Sequence, residues 1–291
     1  MPTSSRNCHR FHRRCVLPVV VNERRSTYMT RLLVDNARLG YADKVICPGV
    51  DLEIPDGRFT VIVGPNACGK STLLKSLTRL IAPQDGQIRL DGQSLHSLPT
   101  KEVAREVGLL PQGPVAPDGI RVIDLVSRGR YPHQSLFKPW SPEDEQAVKE
   151  AMDATGIREL SGRLVDELSG GQRQRVWMAV ALAQQTPILL LDEPTTFLDV
   201  SYQIELLELC RKLNRERDYT LVAVLHDLNQ AARYADHIIA MKDGEVVATG
   251  NPSDVITKEL VRTVFGVDSK IIADPESGAP LMIPTWHHAN A

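Results

Sequence analysis

A glycine-rich run between Gly64 and Ser71 has the residue types and the spacing needed to bind phosphate groups. Its sequence, GPNACGKS, matches the pattern G-x-x-x-x-G-K-[ST]. Glycines let the backbone wrap around a phosphate with its N–H groups pointing inward, Lys70 can reach the β- and γ-phosphates of a nucleotide, and the Ser71 hydroxyl can ligate Mg²⁺. Composition alone would produce this pattern in about one such chain in a hundred. Its surroundings favour function, because the run lies between a predicted buried strand at 59–63 and a predicted helix at 69–80.

An acidic pair, Asp192 and Glu193, follows a run of apolar residues at 188–191. Such a run fits a strand that is buried on both faces, and a carboxylate pair at its end is costly to bury without a function. We expect Asp192 to hold Mg²⁺, directly or through water, and Glu193 to orient or deprotonate an attacking water. Taken alone, an acidic pair after a strand is more often a solvated turn. Its separation from Lys70 suits two strands of one sheet, which favours the catalytic interpretation.

The sequence LSGGQ at 168–172 predicts a second anion-binding helix start. Ser169 is a favourable N-cap residue, and Gly170 and Gly171 leave backbone N–H groups bare at the beginning of a helix predicted over 171–184. One domain rarely needs two phosphate sites for one nucleotide. A head-to-tail dimer does need them, because each nucleotide can then lie between the glycine-rich run of one copy and the Ser169 helix of the other.

With these three motifs in this order, the chain resembles the ATP-binding subunits of ABC transporters over about 32–267. LSGGQ is the signature of that family. The resemblance implies an α/β fold, a P-loop NTPase (RecA-like) core with an antiparallel β subdomain and an inserted α-helical subdomain. It also implies ATP and Mg²⁺ as cofactors and ATP hydrolysis as the activity. Ala67 departs from the family pattern, in which many members carry glycine, and we expect alanine to be tolerated there unless the residue needs a positive φ.

The same resemblance gives roles to residues that carry little weight alone, since a lone histidine or tyrosine is most often structural. Gln112 resembles a glutamine that senses Mg²⁺ and the membrane partner, His226 a histidine that contacts the γ-phosphate, and Tyr41 an aromatic that stacks on adenine. The segment Phe197, Leu198 and Asp199 resembles one in which the aspartate faces the partner copy. The implied catalytic residues are Glu193, His226, Lys70 and Gln112, and the implied Mg²⁺ ligands are Ser71, Gln112 and Asp192. The implied ATP-binding residues are Tyr41, Gly64, Pro65, Asn66, Ala67, Cys68, Gly69, Lys70, Ser71 and Thr72, with Ser169, Gly170, Gly171, Gln172 and Asp199 acting from the partner copy.

The elements that must position these residues alternate between strand and helix, which predicts an α/β core. Strands are predicted at 31–39, 50–54, 59–63, 87–90, 107–110, 188–191, 219–225, 237–240 and 245–248. Helices are predicted at 69–80, 121–130, 142–155, 171–184, 201–217, 228–235, 252–256 and 258–265. No strand-like run occurs at about 113–166, so we expect this segment to be the helical insert of an ATP-binding domain over 31–267. The tail at 268–291 has no clear element pattern.

The composition is that of a globular chain and excludes several classes of protein. Of the 291 residues, 42% are hydrophobic and 24% are charged, and no apolar run approaches the roughly 18 residues that span a bilayer. The formal net charge of −2 argues against a general nucleic-acid binder. Five cysteines without a pairing pattern indicate a reducing compartment. Among them, Cys68 lies close to the start of a predicted helix, where a thiol pKa tends to be lowered, and we expect it to be reactive.

Residues 1–28 differ from the rest of the chain in charge. Six arginines against one acid give this segment a charge of +5, and the remainder carries −7. An export signal is disfavoured because the apolar stretch at 16–21 is short, although an arginine pair resembles a twin-arginine signal. Two cysteines and two histidines at 8–15 match no usual zinc spacing. We therefore predict a disordered extension, with Met29 as the working first residue.

Within the family, the segments 113–119, 128–133 and 274–280 resemble importers of ferric siderophores. This resemblance implies a peripheral subunit on the cytoplasmic face of the cell membrane that energises iron(III)-siderophore uptake. Its implied partners are polytopic permease subunits, a solute-binding protein and a second ATPase subunit, with no nucleic acid. Haem or cobalamin is the alternative cargo.

Soluble ABC-type ATPases of DNA repair or translation form an alternative class. The distance from Lys70 to Ser169 leaves no room for the long coiled coils or zinc modules of the first group. The second group usually carries two cassettes in one chain, and this sequence has one.

Overall fold

The structure, a computed structural model, describes residues 30–135, 139–196 and 198–285. The predicted N-terminal extension at 1–28 lies outside the described residues, as does Phe197, the first residue of the segment whose Asp199 is predicted to face the partner copy. The strands are β1 (Thr30–Tyr41), β2 (Lys44–Pro55), β3 (Phe59–Val63), β4 (Asp85–Leu90), β5 (Gln93–Ser94), β6 (Val107–Leu110), β7 (Ile188–Asp192), β8 (Thr220–Val224), β9 (His237–Lys242), β10 (Glu245–Gly250), β11 (Ser269–Ala273) and β12 (Pro280–Pro284). The α-helices are α1 (Lys70–Leu77), α2 (Thr100–Glu106), α3 (Val122–Ser127), α4 (Pro142–Ala154), α5 (Gly170–Ala183), α6 (Val200–Arg217), α7 (Leu228–Tyr234), α8 (Pro252–Val255) and α9 (Lys258–Phe265).

A six-stranded sheet in the order β10-β9-β3-β8-β7-β6 forms the centre of the fold. The strands from β9 to β6 pair in parallel, and β10 joins β9 antiparallel at one edge. Every residue of β3, β7 and β8 is buried, which explains why these strands are mostly apolar rather than alternating, with Thr60, Asp192 and Thr220 as their polar residues. Because parallel strands end at the same edge of a sheet, the segments that follow β3, β6, β7 and β8 meet along one line. The predicted α/β core is confirmed.

A second sheet, in the order β2-β1-β4-β5, is antiparallel throughout. Its apolar side chains, among them Leu32, Val34 and Ile88, are buried in a cluster that also contains Leu73 and Leu77 of α1. The helix that follows the glycine-rich run is therefore packed between the two sheets. This sheet is the antiparallel β subdomain expected from the sequence.

In the segment between β6 and α5, the described residues form α3, α4 and three short 3-10 helices separated by loops, with an isolated bridge between Arg121 and Leu164. A buried ion pair joins its parts, with Arg130 Nε 2.8 Å from Asp144 Oδ1. Arg130 also donates to the Ala183 carbonyl at 2.7 Å, which ties the insert to α5. Burial disfavours the charged form of Asp144, but hydrogen bonds from Arg130 and Ser141 hold its pKa below the ordinary value.

Helix α2, the short strand β5 and the two strands of the tail are not predicted from the sequence. Helix α2 was missed because Val103 is its one buried residue, so no apolar periodicity marks it. The tail contains the antiparallel hairpin β11–β12, whose Ile271 and Met282 pack against the main core. Among the described residues, no helix combines the length and the apolar character that a membrane span requires.

Candidate phosphate-binding and hydrolytic site

The glycine-rich run leaves the end of β3 and leads directly into α1. Gly64 has a φ of 156°, and a Cβ there would collide with the Met241 carbonyl oxygen. Gly69 has a φ of 105°, and a Cβ there would lie 2.8 Å from Cys47 Sγ. Lys70 Nζ donates to the carbonyl oxygens of Gly64 at 2.9 Å and Pro65 at 2.8 Å, so the ammonium group is held over the loop. The chain thus places a cation and a helix N-terminus together, as an anion site needs.

Two neighbouring residues of this loop differ from expectation. Ala67 has a φ of 61°, so it occupies the left-handed region that favours glycine, the condition under which alanine is not well tolerated. The expected lowering of the Cys68 thiol pKa is wrong, while the reactivity of this thiol stays a prediction. Burial raises the pKa of the Cys68 thiol, and this effect exceeds the lowering by the nearby Lys70 charge. With only 4% of its surface exposed, Cys68 packs as a small apolar side chain.

Asp192 lies at the end of β7 and meets the start of α1. The Ser71 hydroxyl donates to Asp192 Oδ1 at 2.8 Å. Asp192 is 1% exposed, and its Oδ2 is buried without a hydrogen-bond partner. Burial raises the pKa of Asp192, and the hydrogen bond from Ser71 opposes that rise. A hydroxyl and an unsatisfied carboxylate oxygen at one point are the hard oxygen donors that fit Mg²⁺.

Glu193 brings the ends of three strands together. Its Oε2 accepts a hydrogen bond from Gln112 Nε2 at 2.6 Å, and its Oε1 lies 2.8 Å from His226 Nε2. Thr196 Oγ1 donates to Oε2 at 3.3 Å. The backbone of Glu193 has a φ of 52°, a conformation that costs energy in a non-glycine residue and is common at functional sites. Thr196 is not among the residues predicted from the sequence, because no motif or periodicity marks it.

Ser169 caps α5 as expected. Its hydroxyl accepts from the Gln172 N–H at 3.3 Å, and Gln172 Oε1 accepts from the Ser169 N–H at 3.1 Å. A Cβ on Gly170 would meet nothing within 4 Å, whereas one on Gly171 would lie 2.9 Å from the Tyr202 ring. The space beside Gly170 is therefore open, whereas Gly171 is needed because a side chain there would clash with the Tyr202 ring. Among the described residues, no hydrogen bond joins this segment to the glycine-rich run of the same chain.

Of the remaining predicted residues, Tyr41, Asn66 and Asp199 are exposed, whereas Thr72 is buried in α1. Asp199 caps α6, with its Oδ1 accepting from the Tyr202 N–H at 3.1 Å. Tyr41 is the last residue of β1 and is 48% exposed, so about half of its surface is accessible. Asn66 and Thr72 belong to the glycine-rich run and to α1, respectively.

A groove continues from Gln112 and Glu193 toward the helical insert. It has a volume of about 460 Å³, and its wall includes Val115, Gly170 and Trp177. A neighbouring depression of about 390 Å³ shares Val115 and Trp177. Val115 is 88% exposed, so it presents an apolar side chain in a groove that polar residues such as Asp166 and Arg173 also line.

Fold and site together define a P-loop ATPase in which a sheet edge carries the phosphate loop, the acidic pair and the histidine. The chain belongs to the ABC transporter family, whose model matches residues 47–196. It is an ATP-binding and ATP-hydrolysing protein, as the sequence predicts.

Relatives and a solved structure support this assignment. The chain is 54% identical over 256 residues to the ferric enterobactin transport ATP-binding protein FepC of Escherichia coli (strain K12), covering 88% of this chain and 94% of that protein. It is 51% identical over 246 residues to the petrobactin import ATP-binding protein FpuD of Bacillus anthracis, covering 84% and 90%. A dimeric ATP-binding cassette solved in a post-hydrolysis state with ADP and phosphate matches with a TM-score of 0.67 at 28% identity, covering 76% of this chain and 98% of that one.

Proposed function

We propose that this chain energises the import of iron(III)-siderophore complexes as a peripheral subunit on the cytoplasmic face of the membrane. The observation that carries the ATPase part is the convergence of Gln112, Glu193 and His226 beside the Ser71–Asp192 pair. The cargo rests on the identity of 54% and 51% to proteins named for ferric enterobactin transport and petrobactin import. The segments 113–119 and 128–133, which resemble siderophore importers, support the same cargo.

Nucleotide binding follows from the geometry of the glycine-rich run. Lys70 exchanges its two carbonyl partners for the β- and γ-phosphates, while backbone N–H groups of the loop donate to the same oxygens. Ser71, Asp192 and Gln112 would hold Mg²⁺, which when bound neutralises charge on the phosphates. The exposed Tyr41 ring supplies a stacking surface for adenine.

Hydrolysis depends on the side chains around Glu193. The Glu193 carboxylate accepts the hydrogen bond of the attacking water and orients it toward the γ-phosphate. His226, which shares the carboxylate of Glu193, donates to the developing charge on the phosphate oxygens. Gln112 holds the other carboxylate oxygen, so a movement of the segment after β6 changes the position of the base.

The active unit is a head-to-tail dimer of two copies. Gly170 and Gly171 leave their backbone N–H groups open at the start of α5, whereas those of Ser169 and Gln172 are paired in the cap. Asp199 lies at the start of α6. Among the described residues, no hydrogen bond joins these residues to the glycine-rich run of the same chain. These residues therefore complete the nucleotide site of the partner copy. A related cassette is a dimer in its solved structure, which supports this arrangement.

The groove between Gln112 and the helical insert receives the membrane permease. It is apolar at Val115 and Trp177, and it shares Gln112 with the hydrolytic cluster. A change at the nucleotide can therefore reach the permease through one side chain and the insert. A solute-binding protein completes the import system.

Uptake measurements test this function in cells that lack the chain. We expect the unaltered chain to restore uptake of radioactive iron supplied as catecholate or hydroxamate siderophores, and the Lys70→Ala variant to fail. Restoration of haem or cobalamin uptake alone would contradict the cargo. Association of the purified chain with ribosomes or DNA, rather than with a polytopic membrane protein, would contradict the transport function.

A further inference from the structure

His226 is followed immediately by α7, a helix of seven residues. Asp227 caps this helix, with its Oδ1 accepting from the N–H groups of Asn229 at 2.8 Å and Gln230 at 3.0 Å. Two turns of helix are not stable alone in water, so tertiary contacts must hold α7 in place. The side chain of His226 is 43% exposed, and its distance to Glu193 depends on where α7 begins.

Asn229 joins α7 to the C-terminal hairpin, defined as β11 and β12 with their connecting loop. Its Oδ1 accepts from the Met282 N–H at 2.7 Å, and its Nδ2 donates to the Met282 carbonyl at 3.2 Å. Both polar ends of one side chain thus pair with both backbone groups of one residue of β12, as a neighbouring strand would. Helix α7 packs more extensively against β12 than against any other element.

A surface ion pair adds to the same contact one turn later along α7. Arg233 lies 2.8 Å from Glu276 and 3.9 Å from Asp274, both in the loop of the C-terminal hairpin. Exposed ion pairs of this kind contribute little to stability. The geometry of the contact therefore depends chiefly on Asn229 and on the apolar packing of Met282.

The other side of α7 reaches the segment that is proposed to face the partner copy. Gln230 Nε2 donates to Gln203 Oε1 at 2.8 Å, and Gln203 Nε2 donates to the Leu198 carbonyl at 2.9 Å. Leu198 immediately precedes Asp199. One short helix thus connects the C-terminal hairpin, the histidine of the hydrolytic cluster and the beginning of α6.

We propose that the C-terminal hairpin is a positioning element for ATP hydrolysis, and that Asn229 is the residue through which it acts. The hairpin fixes α7, and α7 holds His226 against Glu193. Asn229 contacts none of the residues assigned to phosphate binding, so it is a positioning residue. This inference rests on the proposed function of the site.

The Asn229→Ala variant of the full chain tests the proposal. We expect kcat for ATP hydrolysis to fall about tenfold, the effect of losing paired hydrogen bonds, while the KM for ATP changes less than about twofold. Hydrogen–deuterium exchange of the nucleotide-free chain should show faster exchange of the amides at 228–234. Asn229→Asp keeps the acceptor for the Met282 N–H and loses the donor, so its kcat should lie between the two. Lys270→Ala, on the opposite face of β11 from Ile271, is the control and should match the unaltered chain.

Several results would overturn the positioning role of Asn229. An unchanged kcat in Asn229→Ala, with or without faster exchange at 228–234, would overturn the proposal, as would an equal loss of kcat in Lys270→Ala. If Asn229→Ala does not fold, Asn229→Asp decides alone, and an unchanged kcat in it has the same meaning. Absence of ATP hydrolysis in the unaltered chain is a different result, since it would contradict the proposed function before any substitution is made.

Discussion

Glu193 is bound by side chains from three separate segments, and its role can be tested by removing one charge. An amide at this position keeps the size of the side chain and the hydrogen bond to His226 or Gln112, but it is a poor base. We expect Glu193→Gln to bind ATP with unchanged affinity and to lower turnover at least about 100-fold, the lower end of the contribution of a positioned base. Steady-state phosphate release and equilibrium nucleotide binding measure the two effects.

The matched control is Glu216→Gln. Glu216 is an exposed carboxylate in the last turn of α6, so this substitution removes the same charge outside the cluster and should leave turnover unchanged. Rapid turnover in Glu193→Gln would show that another group activates the water.

Ala67 tests how much strain the phosphate loop stores. It costs a residue with a Cβ about 1–2 kcal/mol to adopt the left-handed region. Glycine avoids this cost, but it loses more conformational entropy on folding than alanine does, which lowers the free energy of unfolding by about 0.5–1 kcal/mol. We therefore expect Ala67→Gly to leave the free energy of unfolding unchanged or slightly raised. Ala104→Gly, in the helix α2, should lower it by about 1 kcal/mol. Denaturant unfolding of both variants makes the comparison, and an equal loss in both would mean that Ala67 is not strained.

At the scale of elements, His237 links β9 to β10 and makes the stability of the sheet depend on pH. Its Nε2 lies 2.7 Å from Thr249 Oγ1. Burial, assisted by the nearby Arg58 charge, lowers the pKa of His237 from 6.5 to about 4. In the unfolded chain this histidine takes up a proton near its ordinary pKa, so between these two values the unfolded state binds more protons than the folded state. The contribution is fully present above pH 6.5 and is lost as the pH falls toward about 4.

We expect the free energy of unfolding to decrease over this window, and the His237→Gln variant to decrease less. The measurement is denaturant unfolding of the unaltered chain and of His237→Gln at several pH values. Subtracting one free energy of unfolding from the other at each pH removes the contribution of the other titrating groups, which the two proteins share. Identical pH profiles would show that His237 is protonated equally easily in the folded state.

The elements that the sequence analysis identified are those with a strong apolar pattern. The buried strands at 59–63 and 107–110 have the same bounds in the structure. A mostly apolar run is stable only when it is buried inside the sheet, so its ends mark the ends of the strand. Helix α2 was not predicted, because Val103 is its one buried residue and a single apolar position gives no helical period. The C-terminal hairpin was not found either, because its pairing with Asn229 involves backbone groups that leave no mark in the sequence.

At the scale of the whole molecule, the proposed dimer predicts that two inactive variants restore each other. Lys70→Ala should weaken nucleotide binding at its own site, and Ser169→Arg should block the site of the partner copy. A mixed dimer of the two keeps one site with both partners intact, so an equal mixture should regain about a quarter of full activity if dimers exchange at random. Phosphate release by each variant alone and by the mixture is the measurement.

A mixture of Lys70→Ala with Glu193→Gln is the control. Both substitutions act on the side of the site that carries the glycine-rich run, so no mixed dimer contains an intact site. Recovery in the control, or none in the test mixture, would contradict the head-to-tail arrangement. Full activity of a single copy, measured as turnover that does not depend on enzyme concentration, would contradict the dimer itself.

The sequence by itself determined the class of protein and the local structure of the phosphate loop. A glycine-rich run between a buried strand and a helix has few other uses, and its glycines, lysine and serine act over a few consecutive residues. The acidic pair at the end of an apolar strand is equally local. These features depend on spacing along the chain, which a sequence states directly.

Only the tertiary structure decided which of these residues meet. The order of strands places β7 between β8 and β6, and this brings Glu193 within hydrogen-bonding distance of His226 and Gln112. The same packing buries Cys68 and raises its thiol pKa, against the effect of the helix that follows it. Contacts between residues far apart in sequence depend on the order of strands in the sheet, and the pKa of a buried group depends on its desolvation. The spacing of residues along the sequence determines neither of them.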